Sequence, residues 1–333
     1  MLIKSLAIYH YALDKNLRFG KFIDMKTHQT ASNTVSNAGF VALLGRSNVG
    51  KSTLINALIC QKIAAVSPRS QTTRKQQMGI LTVNTLEKNS QVVFIDTPGF
   101  HHPRNKLGEL MNTEVSKSLE DCDLVLLIID ASESPTEEDQ LLFNLLFNSN
   151  LTQRTILVFN KLDLVSEDVL ADRVAEFSSF LPNSEIIRIS ATRGDGLFEL
   201  KEIILQRIPA GEPFFPDDQL TDLQERDLSA DLIREACLNI LRDEIPHGIA
   251  VRIDQYTERG DEGAYIEATV FVEKESHKPI LIGKDGQMLK KIGTTARQKI
   301  EALTGRKIFL QLKVKVRKNW RNDEKVLRKF GRA

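Results

Sequence analysis

The sequence predicts two domains of different class. The first is α/β, a mostly parallel sheet with helices on both faces. The second is smaller and α+β. Three observations predict this. From Phe40 to Ile208, short apolar runs alternate with amphipathic stretches, as strands buried on both faces do when helices cross over between them. Between Pro209 and Pro216 three prolines fall within eight residues, which stops a helix and favours an extended segment. A length of 333 residues suits two domains at roughly 100–200 residues each. The chain is 41% hydrophobic and 27% charged, which suits a folded core and argues against a disordered chain.

The expected strands of the first domain are Phe40–Leu44, Met78–Val83, Val92–Ile95, Asp123–Asp130, Thr155–Phe159 and Glu185–Ile189. The expected helices are Lys51–Cys60, Leu107–Leu119, Glu137–Phe147, Val169–Phe180 and Leu197–Ile208. In the second domain Leu223–Glu244 has a helical pattern, and Ile249–Tyr256 with Tyr265–Val272 reads as a hairpin turning at Gly260 and Gly263. Helix Gln287–Leu303 and the alternating strand Lys307–Val316 follow. The resulting division is an N-terminal extension over 1–38, expected to be disordered; a first domain over 39–208; a linker over 209–218; and a second domain over 219–333. Residues 1–24 are read as dispensable.

Net charge is +1, from 45 basic and 44 acidic residues, but it is unevenly spread. Residues 277–333 hold 17 Lys/Arg against 4 Asp/Glu, which leaves residues 1–276 acidic by 12. A basic end on an acidic body points to a polyanionic partner. The three cysteines, Cys60, Cys122 and Cys237, have no zinc spacing and are expected to be reduced in a cytoplasmic protein.

The chemistry starts at Gly45, Arg46, Ser47, Asn48, Val49, Gly50, Lys51 and Ser52, a complete G-x-x-x-x-G-K-S between a strand and a helix, with Thr53 next. In that context it is a P-loop. Its N–H groups wrap phosphates, Lys51 reaches the β- and γ-phosphates, and the Ser52 hydroxyl ligates Mg²⁺. Asn160, Lys161 and Asp163 form N-K-x-D at a strand end. A carboxylate at Asp163 accepts from guanine N1–H and the 2-amino group, a pattern adenine lacks. Asn160 is expected on the other base edge, the stem of Lys161 over the ring, and the Ala191 N–H of Ser190-Ala-Thr192 opposite guanine O6.

Asp96, Thr97, Pro98 and Gly99 end the strand Val92–Ile95. Asp96 is expected to hold Mg²⁺ through water, and the Gly99 N–H to sense the γ-phosphate. In Gln71-Thr-Thr-Arg74, Thr73 is favoured over Thr72 as the remaining Mg²⁺ ligand. Lys51, Thr73 and Gly99 are thus the expected catalytic groups. Phe100 occupies the position where Ras-like enzymes orient water with glutamine, so slow intrinsic turnover is expected. Asn48 is a candidate ligand for K⁺, whose charge would stand in for an arginine finger. His101 and His102 are read as surface residues.

A second site lies at Ile282, Gly283, Lys284, Asp285 and Gly286, a G-x-x-G before a helix. This is the clamp with which a KH domain grips about four nucleotides. Lys290 and Lys291, with Lys313, Lys315 and Arg317 on one face of the last strand, are expected to meet the RNA. Trp320 is read as a packing anchor, with base stacking as the alternative.

Together these motifs resemble the Era family of bacterial ribosome-assembly GTPases, from about Gly39 to the C-terminus. The resemblance rests on Gly-Arg-Ser-Asn-Val-Gly-Lys-Ser, Gln-Thr-Thr-Arg, Asp-Thr-Pro-Gly-Phe, Asn-Lys-Leu-Asp, Ile-Gly-Lys-Asp-Gly and Val-Lys-Val-Arg-Lys-Asn-Trp. It implies a P-loop GTPase domain joined to a type II KH domain. It also implies GTP and GDP binding, and contact with the 3′ end of small-subunit ribosomal RNA and with small-subunit proteins, in a monomer. A contact at the inner face of the membrane is the alternative implied. The family usually has proline where this chain has Ser47, and a shorter N-terminus. An ATP-driven remodeller is disfavoured by Asp163, and a non-hydrolysing module by Lys51, Ser52 and Asp96.

Overall fold

The sheet starts earlier than its first apolar run. In the computed structural model, which describes residues 35–69, 72–85, 88–103, 105–260 and 263–330, β1 spans Val35–Leu44. It runs parallel to β3 (Lys88–Asp96) from Val35 opposite Lys88 to Leu43 opposite Asp96. Its first half is also held by the supposed linker, through Ala38 N–H to Pro209 O at 3.1 Å and Gly211 N–H to Ser36 O at 3.0 Å. Backbone pairing, not apolar content, makes Val35–Gly39 a strand, so four residues of the expected extension belong to the sheet. Residues 1–34, with the expectation of disorder there, lie outside the described residues.

The remaining strands are β2 (Gln77–Asn84), β4 (Leu124–Asp130), β5 (Thr155–Asn160) and β6 (Glu185–Arg188). Their order is β2-β3-β1-β4-β5-β6, with β2 antiparallel to β3 and every other pair parallel. Helices α1 (Lys51–Ile59) and α5 (Leu197–Arg207) cover one face, packing Leu54, Leu58, Leu200 and Ile204 against Val41, Leu43 and Leu126. Helices α2 (Lys106–Ser118), α3 (Glu137–Asn148) and α4 (Glu167–Ser178) cover the other. There Val115, Leu142 and Phe177 meet Ala42, Leu44 and Leu127. Alternate residues of β1 thus enter two different cores.

Residues 209–222 form a docked strap. Phe214 lies against Phe40 with ring centroids 4.6 Å apart. The buried Gln91 side chain accepts from Phe214 N–H and Phe215 N–H and donates to Phe215 O. Ile80 N–H donates to Leu220 O, and Met78 N–H to Asp222 Oδ1. The strap therefore covers the edge strand β2, which would otherwise expose unpaired backbone groups.

The second domain contains α6 (Glu225–Ile240), β7 (Ala250–Glu258), β8 (Ala264–Val272), α7 (His277–Ile282), α8 (Gln287–Thr304), β9 (Ile308–Val316) and α9 (Glu324–Lys329). The sheet order is β7-β8-β9, antiparallel then parallel. Ile233 and Ala236 of α6 pack with Ile292, Ala296 and Ile300 of α8 on one sheet face. Part of the other face is covered by a small core shared between domains. Phe271, Trp320 and Leu327 meet Leu107 and Met111 of α2 there.

Trp320 is fully buried and donates from Nε1 to Gly248 O at 2.9 Å. It is the packing anchor, and the stacking alternative falls because no face of the ring is open. Trp320→Ala should cost roughly 3–5 kcal/mol in urea unfolding followed by far-ultraviolet circular dichroism. Trp320→Phe should lose distinctly less, having kept most of the ring contacts.

Candidate functional site

The P-loop turns from the end of β1 into α1. Gly50 has φ 103°, and a Cβ there would lie 2.3 Å from Asn160 Nδ2, so only glycine lets the phosphate loop close on the N-K-x-D strand. Lys51 is 6% exposed and donates from Nζ to Gly45 O at 3.0 Å and Arg46 O at 2.8 Å. Burial pushes its pKa down to about 8, opposed by Asp96. Arg46 contributes backbone only. Its guanidinium turns away to Glu133 at 2.8 Å and Asp139 at 3.0 Å, at the N-terminus of α3.

Asp96 is fully buried at the end of β3. Its Oδ2 accepts from Ser52 Oγ at 2.8 Å, Thr73 Oγ1 at 3.1 Å and Gln77 Nε2 at 3.1 Å. Ser52 and Thr73 hydroxyls are 2.9 Å apart. Thr72 turns away to Arg69 O. Burial raises the Asp96 pKa, and Lys51 is the main opposing influence. Its Oδ1 is buried with no partner. Two hydroxyls around a carboxylate with a spare buried oxygen make a hard oxygen donor set, which fits Mg²⁺.

Gly99 presses on the P-loop, where a Cβ would fall 2.6 Å from Ser47 Oγ. Phe100 packs against the core under α2 and α3, and Thr97 donates back to Leu43 O, so neither side chain serves the crevice. His101 Nδ1 lies 3.0 Å from Gly99 O, and His102 is exposed.

At the base end Asn160 bridges two loops. Asn160 donates from Nδ2 to Val49 O at 2.8 Å, and its Oδ1 accepts from Ala191 N–H at 3.0 Å. Both residues are nearly buried, but they line the same cavity as Asp163, and Asn160 keeps a second Nδ2 hydrogen and a second Oδ1 lone pair for a base edge. Asn160 ties the phosphate loop to the Ser190–Thr192 loop. Asp163 Oδ1 accepts from Ser190 Oγ at 2.6 Å, which leads the influences holding its carboxyl below the usual range. Thr192 Oγ1 lies 3.2 Å from Ser190 Oγ. Lys161 pairs with Asp130 at the end of β4. Ser47, Asn48 and Gly50 through Thr53 of the P-loop, together with Thr73, Gly99, Asn160, Lys161, Asp163, Ala191 and Thr192, line one cavity of about 480 Å³, within the range of small-molecule sites. Gln77 and Glu133 went unread in the sequence. A polar residue opening a strand and one in a loop carry no local signal.

The glycine turn before α8 has φ 74° at Gly283, 51° at Asp285 and 74° at Gly286. The two glycines differ in kind. A Cβ at Gly283 would lie 2.6 Å from Met288 Cβ, whereas at Gly286 it meets nothing within 4 Å. Gly283 shapes the turn and Gly286 faces outward. A groove of about 360 Å³ follows, lined by Gly286, Leu289, Lys290, Gly293, Arg297, Leu310 and Leu312 among others. Ile282 is half-buried, while Lys284, Lys290 and Lys291 are exposed around it.

The structure divides the expected basic set. Leu310 and Leu312 of β9 face α8, so Lys313 and Lys315, of opposite parity, lie on the other sheet face. Lys313 pairs there with Glu267 at 2.5 Å, and Arg317 with Asp323 at 3.3 Å. Arg297, one helical repeat beyond Lys290, takes their place along the groove. Its i+7 spacing from Lys290 was the available signal.

Residues 40–161 match the family described as 50S ribosome-binding GTPase, and residues 244–321 match the KH domain family. The GTPase Era of Caldanaerobacter subterraneus subsp. tengcongensis is 44% identical over 297 residues, covering 89% of this chain and 98% of that protein. The GTPase Era of Geobacter metallireducens is 43% identical over 295 residues, covering 88% and 97%. A crystal structure of Era in complex with MgGDPNP and nucleotides 1506–1542 of 16S ribosomal RNA superposes with TM-score 0.83 at 38% identity, covering 90% of this chain and 99% of that one. An Aquifex aeolicus Era variant bound to GDP.AlF4⁻ also gives TM-score 0.83 at 38% identity.

Lys51 makes anion binding pH-dependent. Burial leaves it near 8, and a phosphate beside it raises that value again. Between the two values the complex holds more protons than the free protein. Titration calorimetry with GDP at about pH 9, in buffers of different ionisation enthalpy, should therefore report uptake approaching one proton, fading near pH 7. Lys51→Arg should abolish the uptake.

Proposed function

The chain belongs to the Era family of GTPases, which hydrolyse GTP to GDP and phosphate, and from that premise we propose that it is a nucleotide-operated RNA-binding switch. Its RNA is the 3′ end of small-subunit ribosomal RNA, and its setting is small-subunit assembly in the cytoplasm, as a monomer among small-subunit proteins. The observation that carries this reading is the presence, in one chain, of the Ser52–Thr73–Asp96 cluster and an outward-facing glycine clamp. The relative crystallised with MgGDPNP and 16S ribosomal RNA supports it.

The P-loop N–H groups bind the β-phosphate, and Lys51 bridges to the γ-phosphate by leaving the carbonyls it now holds. Asp163, kept ionised by the Ser190 hydroxyl, accepts the two guanine donors. Ser52 and Thr73 with Asp96 would hold Mg²⁺, which supplies charge against the phosphates. The Gly99 N–H meets the γ-phosphate. With Phe100 turned into the core, no side chain from that position orients water, and intrinsic turnover is slow.

Asn48 supports a K⁺ site. It stands at φ 68° in the P-loop, and its amide donates to Pro68 O in the adjoining loop at 3.1 Å. A cation held by Asn48 would place charge beside the phosphates where other enzymes use arginine. Hydrolysis should run several-fold faster in K⁺ than in Na⁺ at equal ionic strength, and Asn48→Ala should erase the difference. Equal rates in the two salts would remove the site.

One observation favours a second reading. The face carrying Lys313, Lys315 and Arg317 points away from the groove and is exposed; Lys313 and Arg317 are ion-paired there, and Lys315 is the cation that face offers to anionic lipid at the inner membrane face. Among the described residues no helix is long and apolar enough to cross a membrane.

Gly286 gives the test of the RNA reading. Asp and Asn both tolerate positive φ, and neither meets an obstacle there. Gly286→Asp should weaken binding of a single-stranded ribosomal 3′-end RNA at least tenfold, about 1.4 kcal/mol, with GTP affinity unchanged. Gly286→Asn should lose far less, having added no charge. RNA affinity equal to that of the parent in Gly286→Asp would end the clamp assignment. Gly283 is unsuitable, because any side chain there collides with Met288.

A further inference from the structure

The loop joining α1 to β2 carries Thr73 to Ser52 and Asp96, and the other domain supplies much of what holds it. Glu235 on α6 is 2% exposed. Its Oε2 accepts from Val66 N–H at 3.0 Å, and its Oε1 pairs with Lys62 at 2.7 Å and with Lys299 of α8 at 2.5 Å. The neighbouring Arg234, 1% exposed, donates to Thr72 O, next to Thr73. Within the first domain, Asn56 holds the loop at Ile63 and Ala64, and Asn48 holds it at Pro68 O. The stretch from Val66 to Thr72 is thus held at both ends by adjacent side chains of one helix.

Adjacent buried groups of opposite charge are costly to keep out of water unless each is hydrogen-bonded. Here the partners of Glu235 are two lysines and a loop N–H, and Arg234 pairs with Asp231 on its own helix at 3.3 Å and also reaches a loop carbonyl. The loop is therefore one of the elements that satisfy them, beside Asp231 and Lys299, and they in turn restrict where it can go. A segment this long pays a substantial entropic cost when a ligand must order it. A segment already held in place pays much less.

We propose that Arg234 and Glu235 are positioning residues for GTP hydrolysis: they hold the loop that presents Thr73 to Ser52 and Asp96. The KH domain thereby completes the nucleotide site as well as gripping RNA. This rests on the reading of Thr73 as a ligand on the Mg²⁺ side of the phosphates. The binding energy for nucleotide comes mostly from the P-loop and Asp163, which these residues do not touch, so the effect falls on kcat and not on KM.

The test uses the full chain with Arg234→Ala, Arg234→Lys and Glu235→Gln, the last nearly isosteric. Arg234→Ala and Glu235→Gln should lower kcat about tenfold with KM within about twofold, and should raise half-saturating Mg²⁺ several-fold. Amide exchange over residues 65–69 of the nucleotide-free protein should quicken about tenfold, a readout that needs neither Mg²⁺ nor turnover. Arg234→Lys, which keeps a donor for Thr72 O, should lose less than Arg234→Ala. A kcat within twofold of the parent in both Arg234→Ala and Glu235→Gln overturns the inference. So does a fall in kcat matched by an equal fall in GDP affinity, which marks a damaged domain. Thr73→Ala separates the two readings. If it leaves kcat intact, the role of Thr73 fails and the inference with it. If it abolishes turnover while Arg234→Ala and Glu235→Gln both keep kcat within twofold of the parent, this inference alone fails.

Discussion

Arg74 joins the two domains by supplying donors that a buried turn lacks. It is 3% exposed and donates from Nη1 to Ile249 O at 2.7 Å and from Nη2 to His247 O at 3.2 Å. Trp320 donates to the carbonyl between them, Gly248 O, and the Arg74 guanidinium lies 5.4 Å from the centre of the Trp320 ring. Three consecutive carbonyls leading into β7 are thus capped by one residue of the nucleotide domain and one of the C-terminal tail. A buried carbonyl without a donor is costly, and a buried guanidinium without acceptors more so. Neither set can be satisfied unless the domains meet here. Because Thr73 precedes Arg74 in the chain, the site that reads the nucleotide is one peptide away from the joint between domains.

The same accounting of buried polar groups shapes the crevice. Asn160 ties Val49 O to Ala191 N–H, which makes the phosphate loop and the base loop one piece. Lys51 and Asp96 are both buried, and burial moves their pKa values in opposite directions, toward the neutral form of each. Each opposes that shift in the other. Phosphates and a hard cation are the ligands that would return both groups to full charge, so the site is held in a state that favours such ligands before they arrive.

What was legible in the sequence follows a physical rule. The P-loop, the Asp96–Gly99 turn, the N-K-x-D and the glycine clamp are local: their residues act through backbone geometry within a few positions, and spacing reveals them. Features set by distant pairing were not legible. Val35–Gly39 reads as polar, and only its bonds to β3 and to residues 209–211 make it a strand. The proline-rich stretch reads as a linker, and only the side chain of Gln91 and the edge of β2 make it a strap. Gln77, Arg234 and Glu235 lie in unremarkable polar contexts whose partners are far away in the chain. Thr73 was separable from Thr72 only as a preference, and the separation rests on which hydroxyl reaches Asp96. The parity of β9 was visible, but not which parity faces the groove, because that depends on where α8 lands.

The fold redistributes the charge that lies separated along the chain. Cutting the chain at residue 277 isolates a segment of +13, yet residues 219–276 of the same domain hold 14 acidic residues and 6 basic ones. The domain as a whole is therefore only +5. The fold brings the two segments together: Lys299 meets Glu235, Arg306 meets Glu225 and Glu258, Lys313 meets Glu267, and Arg321 meets Glu273. Much of the basic end is neutralised by its own domain and is not available to a distant polyanion. Lys284, Lys290 and Lys291, by contrast, have no acidic partner among the described residues. They surround the one turn whose outward glycine leaves room for a backbone to approach. A net charge distributed over a surface attracts polyanions in general. Unpaired cations gathered at a glycine turn select the place, and that local excess, not the total, carries the case for RNA.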